Sequence, residues 1–364
     1  MSIVERIWHG NDVAARAART ALRPAEMLYR QIVARRNASF DARRDAAGAK
    51  QSRLLPAISV GNLTVGGTGK TPVAAWCVRR LREHGANPAI VMRGYGDDEW
   101  RVHTLLNPGT QVVVGADRVA GVITARTRGA DCAVLDDAFQ HRRVPRIVDM
   151  VLISADNWTN DVRLLPAGPF REGLDALRRA SIAVLTRKAA SDEALAQAAA
   201  AIRQVVPSLP IARISIVPSE LRLAVTLGAR GADGGRPDRS ALLSHPPSWL
   251  SGRRVVAASA IGNPAAFERQ LEGFGAVVVD RARFRDHHVF TTSDAEHLAR
   301  RGTGADGVVC TLKDAVKLAS LWPRQAPPLW YVSQTIVVDS GADALQEVLA
   351  RVLAARVTML HTAG

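Results

Sequence analysis

One short run, Val60-Gly61-Asn62-Leu63-Thr64-Val65-Gly66-Gly67-Thr68-Gly69-Lys70-Thr71-Pro72, carries the densest chemistry in the chain. Gly66, Gly67 and Gly69, with Thr68 among them, let backbone N–H groups gather around one point, and Lys70 adds a full positive charge. With the positive end of a following helix, that arrangement binds phosphate. Thr71 supplies a hydroxyl suited to a Mg²⁺ ion bridging nucleotide phosphates. Pro72 suits a first helical turn, where its missing N–H removes no bond. The general pattern G-x-x-x-x-G-K-[ST] has glycine where this chain has Thr64, so Gly66 and Gly67 must take the turn. The bland alternative is an ordinary glycine-rich turn; the order strand, glycines, Lys-Thr, helix favours phosphate.

Three further groups have the right residue types for chemistry. Ala133-Val134-Leu135-Asp136-Asp137 reads as an apolar strand ending in two carboxylates. Beside a phosphate loop, such a carboxylate holds Mg²⁺ directly or through water, and adjacent like charges favour a nearby cation. Arg93-Gly94-Tyr95-Gly96-Asp97-Asp98-Glu99 follows another strand on the same sheet edge; it offers an arginine, a flexible glycine pair and a base, or is only a polar turn. Asp286-His287-His288 offers a proton-relay pair, though such pairs are more often structural. In Thr311-Leu312-Lys313-Asp314-Ala315-Val316-Lys317, Lys313 and Lys317 share a helical face, where they meet anionic groups or are solvated.

Positioning these residues requires a sheet. Leu54 to Val60 reads as a buried strand into the loop, and Pro72 to His84 as an amphipathic helix out of it. Strands are expected at 88–92, 111–114, 132–136, 148–154 and 181–186, with helices at 117–128 and about 171–179. Near-continuous apolar strands between amphipathic helices define an α/β fold, P-loop NTPase-like, with a mostly parallel sheet flanked by helices. Ligands then bind beyond the carboxyl ends of the strands. A helix at 191–205, strand-like runs at 211–217 and 221–227, and an exposed Gly228–Pro247 loop follow. A second α/β pattern comes next: strand 254–259, helix 264–273, strand 276–280, helix 293–301, strand 307–311, helix 313–320 and strand 329–332, closed by a helix at about 342–356. The expected organisation is a basic helical segment (1–53), the phosphate-loop domain (54–210), linker strands and loop (211–250), and a smaller C-terminal α/β domain (251–364).

In the first segment Ile3, Val4, Ile7 and Trp8 share a face, and after Pro24 so do Ala25, Leu28, Tyr29, Ile32 and Val33, with Arg30, Arg35 and Arg36 elsewhere. This pattern suits an anionic membrane surface and equally suits helices packed on the core with solvated arginines.

With 364 residues and 47% apolar content, the chain has ample material for one large or two medium domains. Its formal charge of +14 favours polyanionic partners, yet no nucleic-acid motif accompanies it, and genome-wide arginine enrichment explains scattered arginines. Cys77, Cys132 and Cys310 lack metal spacing and read as buried apolar residues in a reducing compartment. There is no apolar stretch of membrane-spanning length and no signal-peptide pattern at the start. The expected location is therefore cytosolic, or attached to a membrane from the cytosolic side. A regulatory switch or metallochaperone NTPase would share the loop but needs no cationic amphipathic entry segment.

Taken together and in order, several motifs resemble the tetraacyldisaccharide 4′-kinase family. They are Asn62-Leu63-Thr64 with Gly66-Gly67-Thr68-Gly69-Lys70-Thr71-Pro72; Arg93-Gly94-Tyr95-Gly96; Asp136-Asp137-Ala138-Phe139-Gln140-His141-Arg142; Leu164-Leu165-Pro166-Ala167-Gly168-Pro169 with Arg171-Glu172; Ile261-Gly262-Asn263-Pro264; Asp286-His287; and Lys313-Asp314-Ala315-Val316-Lys317. The likeness runs from Ile7-Trp8 to about Val332, and Thr64 is part of it. It implies transfer of the γ-phosphoryl of ATP to the 4′-hydroxyl of a lipid A disaccharide 1-phosphate. It also implies peripheral or monotopic attachment to the cytoplasmic face of a bacterial inner membrane through the N-terminal helices, and a small second domain. By position, Lys70 clamps the β- and γ-phosphates, and Thr71, Asp136 and Asp137 organise Mg²⁺. Asp98 is the base with His287 as its partner, and Arg93, Tyr95, Gln140, His141 and Arg171 line the glycolipid site. Two departures stand out. The segment between Arg93-Gly94-Tyr95-Gly96 and Asp98-Glu99 is shortened, which leaves Asp97 as a rival base. Ala138 replaces a glycine, which is tolerable unless the backbone there needs positive φ.

Overall fold

The strand that leads into the glycine-rich loop, β1 (Ala57–Asn62), is buried at all six positions. Its neighbours β4 (Cys132–Asp136) and β5 (Val148–Ser154), and β2 (Pro88–Met92) beyond β4, are buried almost throughout. Such strands need cover on both faces, which dictates the architecture. The computed structural model describes residues 3–44, 54–94, 99–224, 244–286 and 288–362. The chain forms two compact units: a larger one of Ser2–Tyr95, Leu106–Ile216 and Ile336–Gly364, and a smaller one built chiefly of Gly96–Leu105 and Val217–Thr335.

In the larger unit the strand order is β7-β6-β5-β1-β4-β2-β3, with β3 (Gln111–Val114), β6 (Ile182–Arg187) and β7 (Ile211–Leu223). Adjacent strands run parallel, and Val60 of β1 lies opposite Asp136 of β4. Residues alternate between the two faces. On one face Ile58, Val60, Val134, Met150 and Leu152 meet Val73, Trp76 and Leu81 of α4 (Lys70–Glu83) and Leu345, Val348, Leu349 and Val352 of the C-terminal helix. On the other, Val151, Ile153, Ala183 and Leu185 meet Leu195, Ala198 and Ile202 of α7 (Asp192–Val205). Ala89, Val91 and Leu135 there meet Val122 and Ala125 of α6 (Arg118–Thr127). Asp117 caps α6 and Ser191 caps α7 with side-chain oxygens. The chain leaves β1 toward β2 on one side and leaves β4 for β5 on the other, so the order reverses at β1. Ligand crevices form at the carboxyl ends of strands at such a reversal.

The smaller unit has the parallel order β10-β9-β11-β12, with β9 (Arg254–Ser259), β10 (Val277–Arg283), β11 (Gly307–Thr311) and β12 (Leu329–Ser340). A two-residue strand, β8 (Ser244–His245), pairs antiparallel with β7. The helices of this unit are α5 (Glu99–Leu106), α8 (Pro264–Gly273), α9 (Thr292–Arg301) and α10 (Leu312–Leu318). β7 and β12 each run from one unit into the other.

Several elements differ from the sequence reading. The run at 211–217 and the start of the run at 221–227 are one strand, β7, which ends at Leu223, because Pro218 removes an N–H donor without breaking extended backbone; 225–227 lie outside the described residues. The helix expected near 171–179 is a 3-10 turn, Leu174–Arg179. The C-terminal helix α11 (Ala342–Thr362) does not close the smaller unit; its apolar side packs on α4, β5 and β6 in the larger one. All three cysteines are free and buried, and burial pushes the Cys77 thiol up to about 12. Most of the 228–247 loop lies outside the described residues.

The N-terminal helices α1 (Ile3–His9), α2 (Val13–Ala21) and α3 (Arg23–Arg44) pack on the larger unit. Glu26 accepts the Leu164 N–H at 2.9 Å, the Tyr29 hydroxyl donates to the Arg171 carbonyl at 3.2 Å, and Arg36 pairs with Glu172 at 3.1 Å. The packed arrangement is thus present. A second side of α3 nonetheless leaves Met27, Leu28 and Ile32 more than half exposed. Among the described residues no helix is long and apolar enough to cross a membrane.

Candidate active site

The loop between β1 and α4 is pinned at three points. Asn62, fully buried at the end of β1, donates from Nδ2 to the Thr68 hydroxyl at 3.0 Å. Thr186, buried at the end of β6, donates its hydroxyl to the Thr68 carbonyl at 3.0 Å. The Val65 N–H donates to the Pro169 carbonyl at 2.8 Å. Gly69, the residue before α4, has φ of 85°, a left-handed conformation that favours glycine, while a Cβ there would meet only the movable Cδ1 end of the Ile216 side chain, at 2.3 Å. A Cβ built on Gly66 or Gly67 would meet no atom within 4 Å. The helix start carries no side-chain cap. A rigid frame therefore holds a loop whose inner side is open and whose helix N–H groups are not satisfied by a capping side chain.

β4 delivers the paired carboxylates. Asp136, 5% exposed, ends the strand. Asp137 adopts a left-handed conformation with φ of 47°, which costs a non-glycine residue free energy and turns the chain sharply. The positive φ thus falls on Asp137, one residue before Ala138. Phe139 then packs over Gly61, where a Cβ would lie 2.5 Å from Phe139 Cβ. Lys70 Nζ lies 3.8 Å from Asp137 Oδ1, and Arg171 donates to both Asp137 oxygens at 3.0 and 3.2 Å. The cation that adjacent carboxylates require is, for Asp137, supplied by the chain itself. Arg171, expected among acceptor contacts, stands with Asp137 and Lys70.

Gln140 donates from Nε2 to the Asn62 carbonyl at 2.8 Å, while its Oε1 is buried with no hydrogen-bond partner. His141 follows, and its Nε2 is likewise buried and unpartnered. Burial, with Arg118, Arg146 and Arg143 nearby, lowers its imidazole to about 4, so the ring is neutral at pH 7. Arg93 follows the end of β2. Tyr95, Asp97, Asp98 and His287 lie outside the described residues.

The residues present fit a magnesium ion: Asp136, Asp137 and Thr71 offer hard oxygen donors around the loop. Asn62 Oδ1, buried and unpartnered, adds an acceptor there. Among the described residues no group of three or more His, Cys, Asp or Glu could by itself hold a metal ion. Thr186 was not visible in the sequence reading, since a threonine ending an apolar strand has no local mark. Glu172, 1% exposed, was noted only as a motif letter; it takes Arg36 at 3.1 Å and Arg179 at 2.5 Å and so ties α3 to the segment carrying Arg171.

Residues 18–354 match the family model described as tetraacyldisaccharide-1-P 4′-kinase. The tetraacyldisaccharide 4′-kinase of Anaeromyxobacter sp. strain Fw109-5 is 36% identical over 393 aligned residues, covering all of both chains. That of Chlorobium luteolum is 33% identical, covering 91% of this chain and 97% of the relative. Among solved structures, the "apo" form of LpxK from Aquifex aeolicus in complex with ATP matches with a TM-score of 0.67 at 24% identity, over 92% of this chain and 99% of that one. At that identity the structural likeness speaks to the fold.

Proposed function

The chain belongs to the tetraacyldisaccharide 4′-kinase family, and from this premise we propose how its own residues carry out the transfer of the γ-phosphoryl of ATP to the 4′-hydroxyl of a lipid A disaccharide 1-phosphate. The observation that carries the proposal is the placement of Lys70 3.8 Å from Asp137, beside an uncapped helix start and an open glycine loop. The loop N–H groups and Lys70 hold the β- and γ-phosphates, and Arg171, fixed by Asp137, adds a second positive group. Thr71, Asp136 and Asp137 would hold Mg²⁺, which neutralises charge on the phosphate oxygens.

The acceptor oxygen attacks the γ-phosphorus as the bond to the β,γ-bridging oxygen breaks and ADP leaves. Asp98 takes the hydroxyl proton, and His287 polarises Asp98. Positioning and charge neutralisation supply most of the acceleration in such a reaction. Gln140, His141, Arg93 and Tyr95 would line the glycolipid side, with the His141 ring neutral at pH 7.

The exposed Met27, Leu28 and Ile32 on α3, with its arginines, are suited to an anionic bilayer surface, which would place the enzyme peripherally on the cytoplasmic face of the inner membrane. Two assays test these readings. Purified protein with Mg-ATP and a lipid A disaccharide 1-phosphate in detergent should give a 4′-phosphorylated product; no product from acceptors of several acyl compositions would refute the assignment of its residues to this transfer. Leu28→Glu with Ile32→Glu should abolish sedimentation with anionic vesicles while leaving turnover in detergent intact. Unchanged sedimentation would leave α3 a purely structural helix.

A further inference from the structure

Glu172 stands next to the arginine that grips Asp137, and it is buried almost completely. A buried charge is tolerated only where opposite charges and hydrogen bonds meet it. Two guanidiniums and an amide do so. Arg36 donates to Oε1 at 3.1 Å, Asn37 donates from Nδ2 to the same oxygen at 3.4 Å, and Arg179 donates to Oε2 at 2.5 Å. Arg36 and Asn37 belong to α3, while Arg179 ends the 3-10 turn Leu174–Arg179. The carboxylate thus joins three chain segments at one buried point.

These partners lead back to the turn after β4. The Arg179 guanidinium lies over the Phe139 ring, 4.6 Å from its centroid, two residues past Asp137. Arg142, in the same turn, donates to the Asn37 carbonyl at 3.0 Å, pairs with Asp41 and lies over the Phe40 ring. α3 therefore holds both segments that meet at the Asp137–Arg171 pair. It holds residues 164–172 through Glu26, Tyr29 and Arg36, and residues 139–142 through Asn37 and Asp41. The far side of 164–172 is tied to the phosphate loop. The Arg171 N–H donates to the Leu63 carbonyl at 2.6 Å, and Thr64 bridges antiparallel to Phe170. The Arg171 backbone is thus fixed by the loop at its N–H and by Tyr29 at its carbonyl, and the next side chain is fixed by α3 and Arg179.

We propose that Glu172 is the positioning residue that keeps the Arg171 guanidinium on Asp137, and that α3 takes part in this through Arg36. This rests on the assignment of Arg171 to the phosphoryl group being transferred. Without the Glu172 charge, Arg36 and Arg179 lose their shared partner, and the segment bearing Arg171 loses its hold. Misplacing a catalytic group by about 1 Å costs on the order of 10²-fold. A preorganised positive charge acts mainly on the charge that develops during transfer. Turnover therefore falls, while affinity for the acceptor does not.

The test is a pair of mild variants in the full-length enzyme. Glu172→Gln keeps the shape and removes the charge; Arg36→Met, at an exposed side chain, removes the donor that α3 supplies. Glu172→Gln should lower kcat about 10-fold, and Arg36→Met about 3-fold, with KM for the acceptor unchanged in both. Each combined with Arg171→Ala should fall no further than Arg171→Ala alone. Should Glu172→Gln fail to fold, Arg36→Met decides alone. Loss of turnover in Arg171→Ala with wild-type kcat in either positioning variant would overturn the proposal and leave the role of Arg171 standing. Losses that multiply in the double variants would also overturn it, since Glu172 would then act by a route other than Arg171. Wild-type turnover in Arg171→Ala would overturn the assignment of Arg171 itself, and the proposal with it.

Discussion

Each of the two units contains a strand, a turn and a helix at the place where its strand order reverses, and the two are built to opposite ends. In the larger, β1 leads through Gly66, Gly67 and Gly69 into α4, which starts without a side-chain cap and with Lys70 as its first residue. In the smaller, β9 leads into α8, where the Asn263 side chain accepts the Ala266 N–H at 3.1 Å and Pro264 occupies the first turn. The Ala260 N–H in the turn before it is taken by Asp314. Topology alone therefore does not make a phosphate site. The same crossover is suited to an anion where the chain leaves the helix start open, and is a brace where the chain satisfies that start itself.

The largest effect expected from this contrast is at Lys70. Lys70→Ala removes the charge at the open helix start and the partner of Asp137, and should lower kcat/KM by about 10²- to 10³-fold with the fold retained. Radiolabelled phosphate transfer and circular dichroism check both halves. Activity within a few-fold of wild type would mean that the open loop is not where the γ-phosphoryl is held.

A smaller effect belongs to the frame that keeps the loop open. Thr186→Val deletes the hydrogen bond to the Thr68 carbonyl without changing shape. A bond of about 0.5–1.5 kcal/mol predicts a rise of roughly 3- to 10-fold in KM for ATP, with KM for the acceptor unchanged, and Thr186→Ser should restore it. Equal changes in both KM values would mean that Thr186 supports the unit generally and does not set the loop.

These two residues also mark what the sequence could and could not show. Lys70 could be singled out because the glycine loop and helix start that mark it are local in the chain. The same holds for Asp136 and for strands 88–92, 132–136, 148–154 and 254–259, whose apolar runs are local. Thr186 was illegible because its partner is 118 residues away. Arg171 was read as an acceptor contact, and only folding shows it on Asp137, 34 residues distant. The left-handed turn fell on Asp137 itself, where no glycine announces it. α11 follows the smaller unit in sequence, yet its apolar side matches the face of the larger sheet. Local patterning cannot choose between two apolar faces that both need cover.

The smallest effect tests the braced half of the contrast. Asn263→Ala removes the cap of α8, leaving the Ala266 N–H without that acceptor. Loss of an asparagine cap costs about 1 kcal/mol, which for a unit of this size lowers the melting temperature by about 2–4 °C. Because α8 satisfies its own start, no ligand N–H is lost with the cap, so KM for ATP and kcat should stay at wild-type values at 25 °C. Calorimetry and steady-state kinetics on the same sample separate the outcomes. A rise in KM for ATP matching that of Thr186→Val, with no thermal shift, would mean that the start of α8 reads an anion too. The distinction between an open and a self-capped crossover would then fail.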